Sequence, residues 1–131
     1  MIVTPLYAGL LTLLYMLLSY RVVQFRQKGI SLGDGGDPKM LRLIRGHANF
    51  AEYVPLALLM MAMLELGRTS VYVLHAMGIA LILGRALHGY ALSYTQKSRF
   101  GRFWGTALTF TVLVVEAVLC VWQAVQGMGV T

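Results

Sequence analysis

The chain has 131 residues, of which 58% are apolar and 12% are charged, and its formal net charge is +6. This is the length of a single domain, but ordinary soluble domains are only about 45–50% apolar and carry about 25% charged residues. We therefore expect a lipid bilayer as its surroundings. The basic residues lie in short segments between apolar runs, which indicates a role in membrane topology and argues against nucleic-acid binding. The single cysteine, Cys120, excludes an internal disulfide and a cysteine-rich metal site, and we expect no metal.

Four long apolar segments follow one another along the chain, roughly over residues 2–26, 38–66, 70–94 and 102–126. Each is long enough for the roughly 20 residues that span the hydrocarbon core of a bilayer. No basic residue precedes Arg21, unlike the start of a cleaved signal peptide, so we expect the first segment to be retained. The sequence predicts an all-α, integral membrane four-helix bundle, formed by one domain over residues 1–131.

Basic residues are distributed unevenly among the connections between the apolar segments. The glycine-rich first loop ends at Asp37 and Pro38, a pair typical of a helix N-cap followed by proline at the first helical position. Basic residues crowd this loop and the third connection, namely Lys28, Lys39, Arg42, Arg45, Lys97, Arg99 and Arg102. The second connection has only Arg68, and the segments at both termini are uncharged. By the positive-inside rule, loops one and three face the cytoplasm and both termini face out.

Ionisable side chains inside membrane spans are costly and usually mark a partner or a function. In the second segment three ionisable residues and one asparagine share a helical stripe, because their spacings are three, four and three: Arg42, Arg45, Asn49 and Glu52. In the third segment, Arg85 lies at a depth matching that of Glu52, with His88 one turn away. One interpretation is a buried Glu52–Arg85 ion pair that holds the helices together.

The other interpretation is an arginine-rich pocket open to the cytoplasm. It would suit a ligand with several carboxylates, since guanidinium groups bind carboxylates bidentately. Arg26 from the first helix and Arg99 or Arg102 before the fourth would complete it.

The run from Arg45 to Pro55, RGHANFAEYVP, resembles the signature of the MAPEG family, the membrane-associated proteins in eicosanoid and glutathione metabolism. In that family an Arg-x-His-x-Asn-x-x-Glu pattern followed by proline opens the second helix. The segment 84–88 resembles the third-helix motif, and the basic segment ending at Arg99 and Arg102 resembles the arginine-bearing start of the fourth helix. The loop at 33–36 is similar to that of bacterial inner-membrane members. The resemblance covers nearly the whole chain and implies the bacterial inner membrane.

This resemblance implies a homotrimer that binds glutathione between neighbouring subunits near the cytoplasmic face. Arg45, Asn49 and Glu52 would hold the charged ends of the tripeptide, with Arg85 and His88 supporting them. Arg99 or Arg102 would face the thiol, and the spacing does not choose between them. One departure concerns tyrosine: several members have one four residues beyond the position of His88, where this chain has Leu92.

The leading prediction is a glutathione-dependent membrane transferase or peroxidase that acts on lipophilic electrophiles, with the thiolate stabilised by an arginine. The alternative is a non-catalytic lipid-binding or scaffold protein of the same fold. A proton-coupled exporter is disfavoured. Its proton pathway requires an isolated carboxylate, whereas Glu52 is expected among Arg45, Asn49 and Arg85. The sequence leaves open the electrophile and whether the thiol is glutathione or another.

Two further expectations follow from helical geometry. By the 100° rotation per residue, His47 points away from the stripe and toward another helix, and Tyr90 and Tyr94 lie on the side of the third helix opposite Leu92. Glu116, midway along the fourth segment, is expected to be structural.

Overall fold

The computed structural model describes residues 1–129. Over that range the chain forms four helices, α1 (Val3–Arg26), α2 (Pro38–Leu66), α3 (Val71–Tyr94) and α4 (Arg99–Met128), and contains no strand. All four are long and apolar enough to cross a membrane. The predicted all-α fold of four membrane-spanning segments is therefore confirmed.

Side-chain caps determine where two of the helices begin. Oδ1 of Asp37 accepts hydrogen bonds from the backbone N–H groups of Lys39 (2.7 Å) and Met40 (3.2 Å), so α2 begins at Pro38. Oγ of Ser98 accepts one from the N–H of Gly101 (3.2 Å), so α4 begins at Arg99 instead of near residue 102. Both arginines at the start of α4 are therefore helical and project from it one turn apart.

Helices α2 and α3 form the centre of the bundle. Helix α1 packs on one side of this pair and α4 on the other. The apolar core between them is made of side chains from all four helices, including Leu11, Phe50, Met61, Leu81 and Val112. This arrangement leaves one flank of α2 and α4 open along the bundle.

The end of the bundle opposite the basic loops is held by a carboxylate. Glu65, near the end of α2, accepts hydrogen bonds from the backbone N–H groups of Ile2, Val3 (2.8 Å) and Thr4 (2.7 Å). These are donors that the first turn of a helix leaves without an internal partner, and a negative charge there is also favoured by the helix dipole. The start of α1 is thereby fastened to the end of α2.

Helices α3 and α4 approach each other through glycine. A Cβ atom on Gly105 would lie 2.6 Å from the carbonyl oxygen of Gly84, closer than real Cβ contacts occur. Small residues at a helix–helix contact allow such backbone approach inside membranes. The contact brings α4 within reach of Arg85, the residue that follows Gly84 on α3.

Candidate functional site

Arg85 joins three helices from a fully buried position, with 1% of its surface exposed. Its Nη1 donates to Oδ1 of Asn49 on α2 (2.6 Å), and its Nε donates to Oγ1 of Thr109 on α4 (3.0 Å). Its Nη2 donates to the carbonyl oxygen of Gly105 (3.4 Å). A buried charge is tolerated only where hydrogen bonds replace its hydration, and these acceptors do so.

The interpretation of Glu52 and Arg85 as a buried ion pair, one of the two that the sequence left open, is wrong. Within residues 1–129, the one salt bridge joins Oε1 of Glu52 to Nη1 of Arg45, 3.9 Å apart, and both side chains are about half exposed. The reason is helical rotation: Glu52 lies about 60° around α2 from Asn49. Asn49 therefore faces Arg85, while Glu52 faces the open flank.

A cavity of about 760 Å³ lies between α2, α3 and α4. Polar and basic side chains line it together with apolar side chains of α4; the lining residues are Asn49, His88, Arg99, Arg102, Phe103, Thr106, Ala107 and Phe110. We call it the cleft. It brings together four residues that the sequence nominated from three separate segments.

The basic wall continues beyond the cleft. An adjoining cavity of about 500 Å³ near the connection between α3 and α4 is also lined by Arg99 and Arg102, together with Arg42 and Lys97. Four positive side chains thus surround one continuous region at the basic end of the bundle. Such a region is suited to a ligand that carries more than one carboxylate.

Besides the buried Arg85, three nominated residues do not line the cleft of their own chain. Arg45 and Glu52 lie on the neighbouring, open side of α2. Arg26 is turned toward the first loop, where its Nη1 donates to the carbonyl oxygens of Ser31 (3.1 Å) and Gly33 (3.5 Å). Their roles in ligand binding stay predictions.

The predicted orientation of His47 is confirmed. Its Nε2 lies 3.0 Å from Oγ of Ser19, and its ring stacks on Tyr15 with centroids 4.6 Å apart, so it faces α1. Tyr90 and Tyr94 are exposed and do not line the cleft, whereas Leu92 is buried. No tyrosine of α3 therefore contributes to the cleft.

Sequence reasoning missed Thr109 and the aromatic pair that stands beside the cleft. Tyr53 and Phe110 meet edge to face with centroids 5.3 Å apart and close the gap between α2 and α4. A signal for Thr109 was present, because the buried residues of α4 follow a helical spacing: Gly101, Gly105, Thr109, Val112 and Glu116. A hydroxyl in that stripe predicts a polar partner on the facing helix.

The fold and site define a class: an α-helical membrane protein with a basic, half-apolar cleft at one end of its bundle. The chain belongs to the MAPEG family, whose family model matches residues 4–122. It is similar to the inner membrane protein YecN of Escherichia coli K12, with 34% identity over 121 residues, which cover 92% of this chain and 91% of that protein. YecN of Escherichia coli O6:H1 strain CFT073 matches with the same identity and coverage.

Proposed function

We propose that this protein is a glutathione-dependent transferase or peroxidase of the bacterial inner membrane, acting on lipophilic electrophiles. The observation that supports it most strongly is the cleft, in which Arg99 and Arg102 lie beside the aromatic side chains of Phe103 and Phe110 on the same helix. A charged thiol compound and an apolar substrate would meet there. Family membership and the inner-membrane relatives support the same proposal.

The residues present fit glutathione, which has two carboxylates, an ammonium group and a thiol. The guanidinium groups of Arg45, Arg99 and Arg102 supply partners for the carboxylates and for a thiolate. Glu52 supplies a carboxylate for the ammonium group. Asn49 is held at the wall of the cleft by Arg85 and offers its amide N–H groups to the ligand.

We further propose that the protein acts as a homotrimer. Arg45 and Glu52 have 58% and 50% of their side chains exposed in one subunit, although Glu52 lies near the middle of α2. Charged groups at that depth face a bundle interior or an aqueous cavity rather than lipid. A neighbouring subunit on this flank would enclose the pair and bring its own Arg26 toward the ligand.

The chemistry of the proposed reaction is thiolate attack. The thiol proton passes to solvent, and the guanidinium of Arg99 or Arg102 stabilises the sulfur anion. In a transfer, sulfur bonds to the electrophilic carbon as the leaving group departs with its electron pair. With a lipid hydroperoxide, sulfur takes the terminal oxygen, the alcohol leaves, and a second thiol reduces the sulfenic acid to a disulfide and water.

The arginines provide the direct test. Glutathione bound to the purified protein should show thiolate absorbance. Alanine at the responsible arginine, in Arg99→Ala or Arg102→Ala, should remove this absorbance, because loss of the guanidinium raises the pKa of the bound thiol. Each unit of that rise corresponds to about 1.4 kcal/mol of lost thiolate stabilisation. Tripeptide binding, measured by calorimetry, should largely persist in the same variant, since Arg45, Asn49 and Glu52 remain. Arg68→Ala, at the opposite end of the bundle, is the control.

Two results would count against the proposal. An unchanged apparent pKa of the bound thiol in both single variants and the double variant would exclude activation by these arginines. Binding of glutathione without turnover of any lipophilic electrophile would favour the non-catalytic lipid-binding or scaffold alternative.

A further inference from the structure

A second basic cavity, which shares no lining residue with the cleft but shares Arg42, Thr95 and Gln96 with the adjoining cavity, lies between the ends of α1, α2 and α3. Its volume is about 310 Å³, and it is lined by Arg21, Lys39, Arg42, Ser93, Tyr94, Thr95 and Gln96. Three cations from two helices converge on it. Among residues 1–129 none of the three forms an ion pair with a carboxylate, since the salt bridge found there is Arg45–Glu52.

The arginines of this cavity have hydrogen-bonding capacity to spare. The Nε atoms of Arg21 and Arg42 are shielded from solvent and have no hydrogen-bond partner within the described part of the chain. Arg21 is held in place, because its Nη2 donates to the carbonyl oxygen of Ser93 (3.3 Å) and its guanidinium lies 4.5 Å from the ring centre of Tyr94. Buried donors in native proteins are normally satisfied, and a small shift of either guanidinium group toward a bound anion would give its Nε an acceptor.

We propose that this cavity binds the phosphate group of an anionic membrane lipid. Phosphate oxygens accept hydrogen bonds from arginine forks and balance the charge of Lys39. This inference rests on the second cavity alone and does not depend on glutathione chemistry in the cleft.

The position of the cavity favours a lipid over free phosphate. Arg21 lies five residues before the end of α1, about 7.5 Å along the axis at 1.5 Å per residue, and Lys39 is in the first turn of α2. These helix ends are where a spanning bundle meets the headgroup layer. Exposed tyrosines occur at this level: Tyr94 lines the cavity, Tyr90 stacks on Tyr94, and Tyr20 precedes Arg21 in the chain. Tyrosine is enriched at membrane–water interfaces.

Arg42 also lines the cavity that contains Arg99 and Arg102. Arg21 and Lys39 do not line that cavity or the cleft. Substituting these two residues therefore tests lipid binding without altering the site proposed for glutathione.

The experiment is native mass spectrometry of the full chain in detergent, titrated separately with phosphatidylglycerol, phosphatidylcholine and inorganic phosphate. Wild type should retain phosphatidylglycerol, and the variant Arg21→Gln/Lys39→Gln should bind it at least about tenfold more weakly, because each basic group near a membrane surface contributes several-fold to anionic lipid binding. Lys28→Gln is the matched control, since Lys28 is an exposed cation at the same end whose Nζ, like that of Lys39, lies over the ring of Phe25 (4.5 Å and 4.9 Å from its centre), but which does not line the cavity. It should bind phosphatidylglycerol as wild type does.

Equal retention of phosphatidylglycerol by wild type and the double variant would overturn the proposal. Suppose instead that inorganic phosphate binds in a manner that depends on Arg21 and Lys39, while the protein does not prefer phosphatidylglycerol to phosphatidylcholine. The ligand of the cavity would then be free phosphate, and the lipid proposal would be overturned. If the double variant loses helical circular dichroism, Arg21→Gln and Lys39→Gln are measured singly. Each should weaken phosphatidylglycerol binding about fivefold, and no weakening in either would equally refute the site.

Discussion

Arg85 shows how a single buried residue can join three helices of a membrane protein. It has no carboxylate partner within residues 1–129, and its charge is spread over an amide, a hydroxyl and a carbonyl oxygen on two other helices. Because one of those acceptors is Asn49, Arg85 fixes the side chain that forms the α2 wall of the cleft. We therefore expect Arg85 to affect ligand binding by holding Asn49 in position.

Thr109→Val tests this network. The substitution keeps the shape of the side chain but removes the acceptor for Arg85 Nε, and a buried donor left without a partner costs about 1–3 kcal/mol. We expect a lower melting temperature in detergent and weaker glutathione binding. Thr111→Val is the control, because Thr111 makes the same kind of hydrogen bond to the carbonyl four residues back (2.8 Å in both cases) but is exposed and does not contact Arg85. Equal melting temperatures for the two variants would show that the Arg85 network contributes nothing to stability.

At the scale of the helices, α4 determines the shape of the site. Its buried face carries Gly101, Gly105 and Thr109 toward α3, while Arg99 and Arg102 on the neighbouring face reach the cleft. Glu116 is fully buried further along the same stripe, and it does not line the cleft. The glycines let the backbones approach, and this approach places the arginines opposite Asn49 and His88.

Gly105→Ala should separate α3 from α4. The added methyl group would meet the carbonyl oxygen of Gly84 and the backbone of His88, and overpacking of this kind costs about 1–3 kcal/mol. We expect a lower melting temperature and loss of glutathione binding.

Gly127→Ala is the matched control, because it makes the same exchange in the same helix at a position with nothing within 4 Å. Both variants gain the helix propensity of alanine, about 1 kcal/mol per residue, so the difference between them isolates the helix contact. Equal stability would mean that α3 and α4 tolerate separation at this point.

At the scale of the whole molecule, basic residues gather at the end of the bundle that carries the first and third loops, where the cleft also opens. The positive-inside rule therefore predicts that the ligand enters from the cytoplasm. In a Cys120→Ser background, the single-cysteine variants Asp34→Cys and Ser98→Cys should react with membrane-impermeant reagents only when the membrane is permeabilised so that the reagent reaches its cytoplasmic side. A cysteine at Arg68 should react from outside. Labelling of residue 34 from the outer face alone would reverse the orientation.

In the proposed trimer, a neighbouring subunit covers the exposed Arg45–Glu52 pair. If a neighbouring subunit covers this pair, native mass spectrometry in mild detergent should show three copies, and bound glutathione should stabilise that state by mass action. A stable monomer that binds glutathione with the same affinity would contradict the shared site.

The features that could be predicted from the sequence alone are those set within one segment: which segments are helical, where α2 begins, and which way a side chain points from its own helix. Apolar length predicted the spanning helices, since a segment without water must satisfy its backbone internally. The pair Asp37 and Pro38 predicted the start of α2, and the motif from Arg45 to Pro55 predicted the family. The rotation of α2 also placed His47 toward a neighbouring helix, because side-chain direction within one helix follows from its period alone.

Contacts between side chains of different helices could not be predicted from the sequence and are known from the packing of the helices. The sequence placed Glu52 and Arg85 at the same depth, but depth does not specify how each helix is rotated against its neighbours. The glycine contact of Gly84 with Gly105 brings α4 close enough for Arg85 to reach Thr109, and the rotation of α2 turns Asn49 toward Arg85 while Glu52 pairs with Arg45 on the same helix. The same packing assembled the cleft and the second basic cavity, because both are formed from residues far apart in the chain.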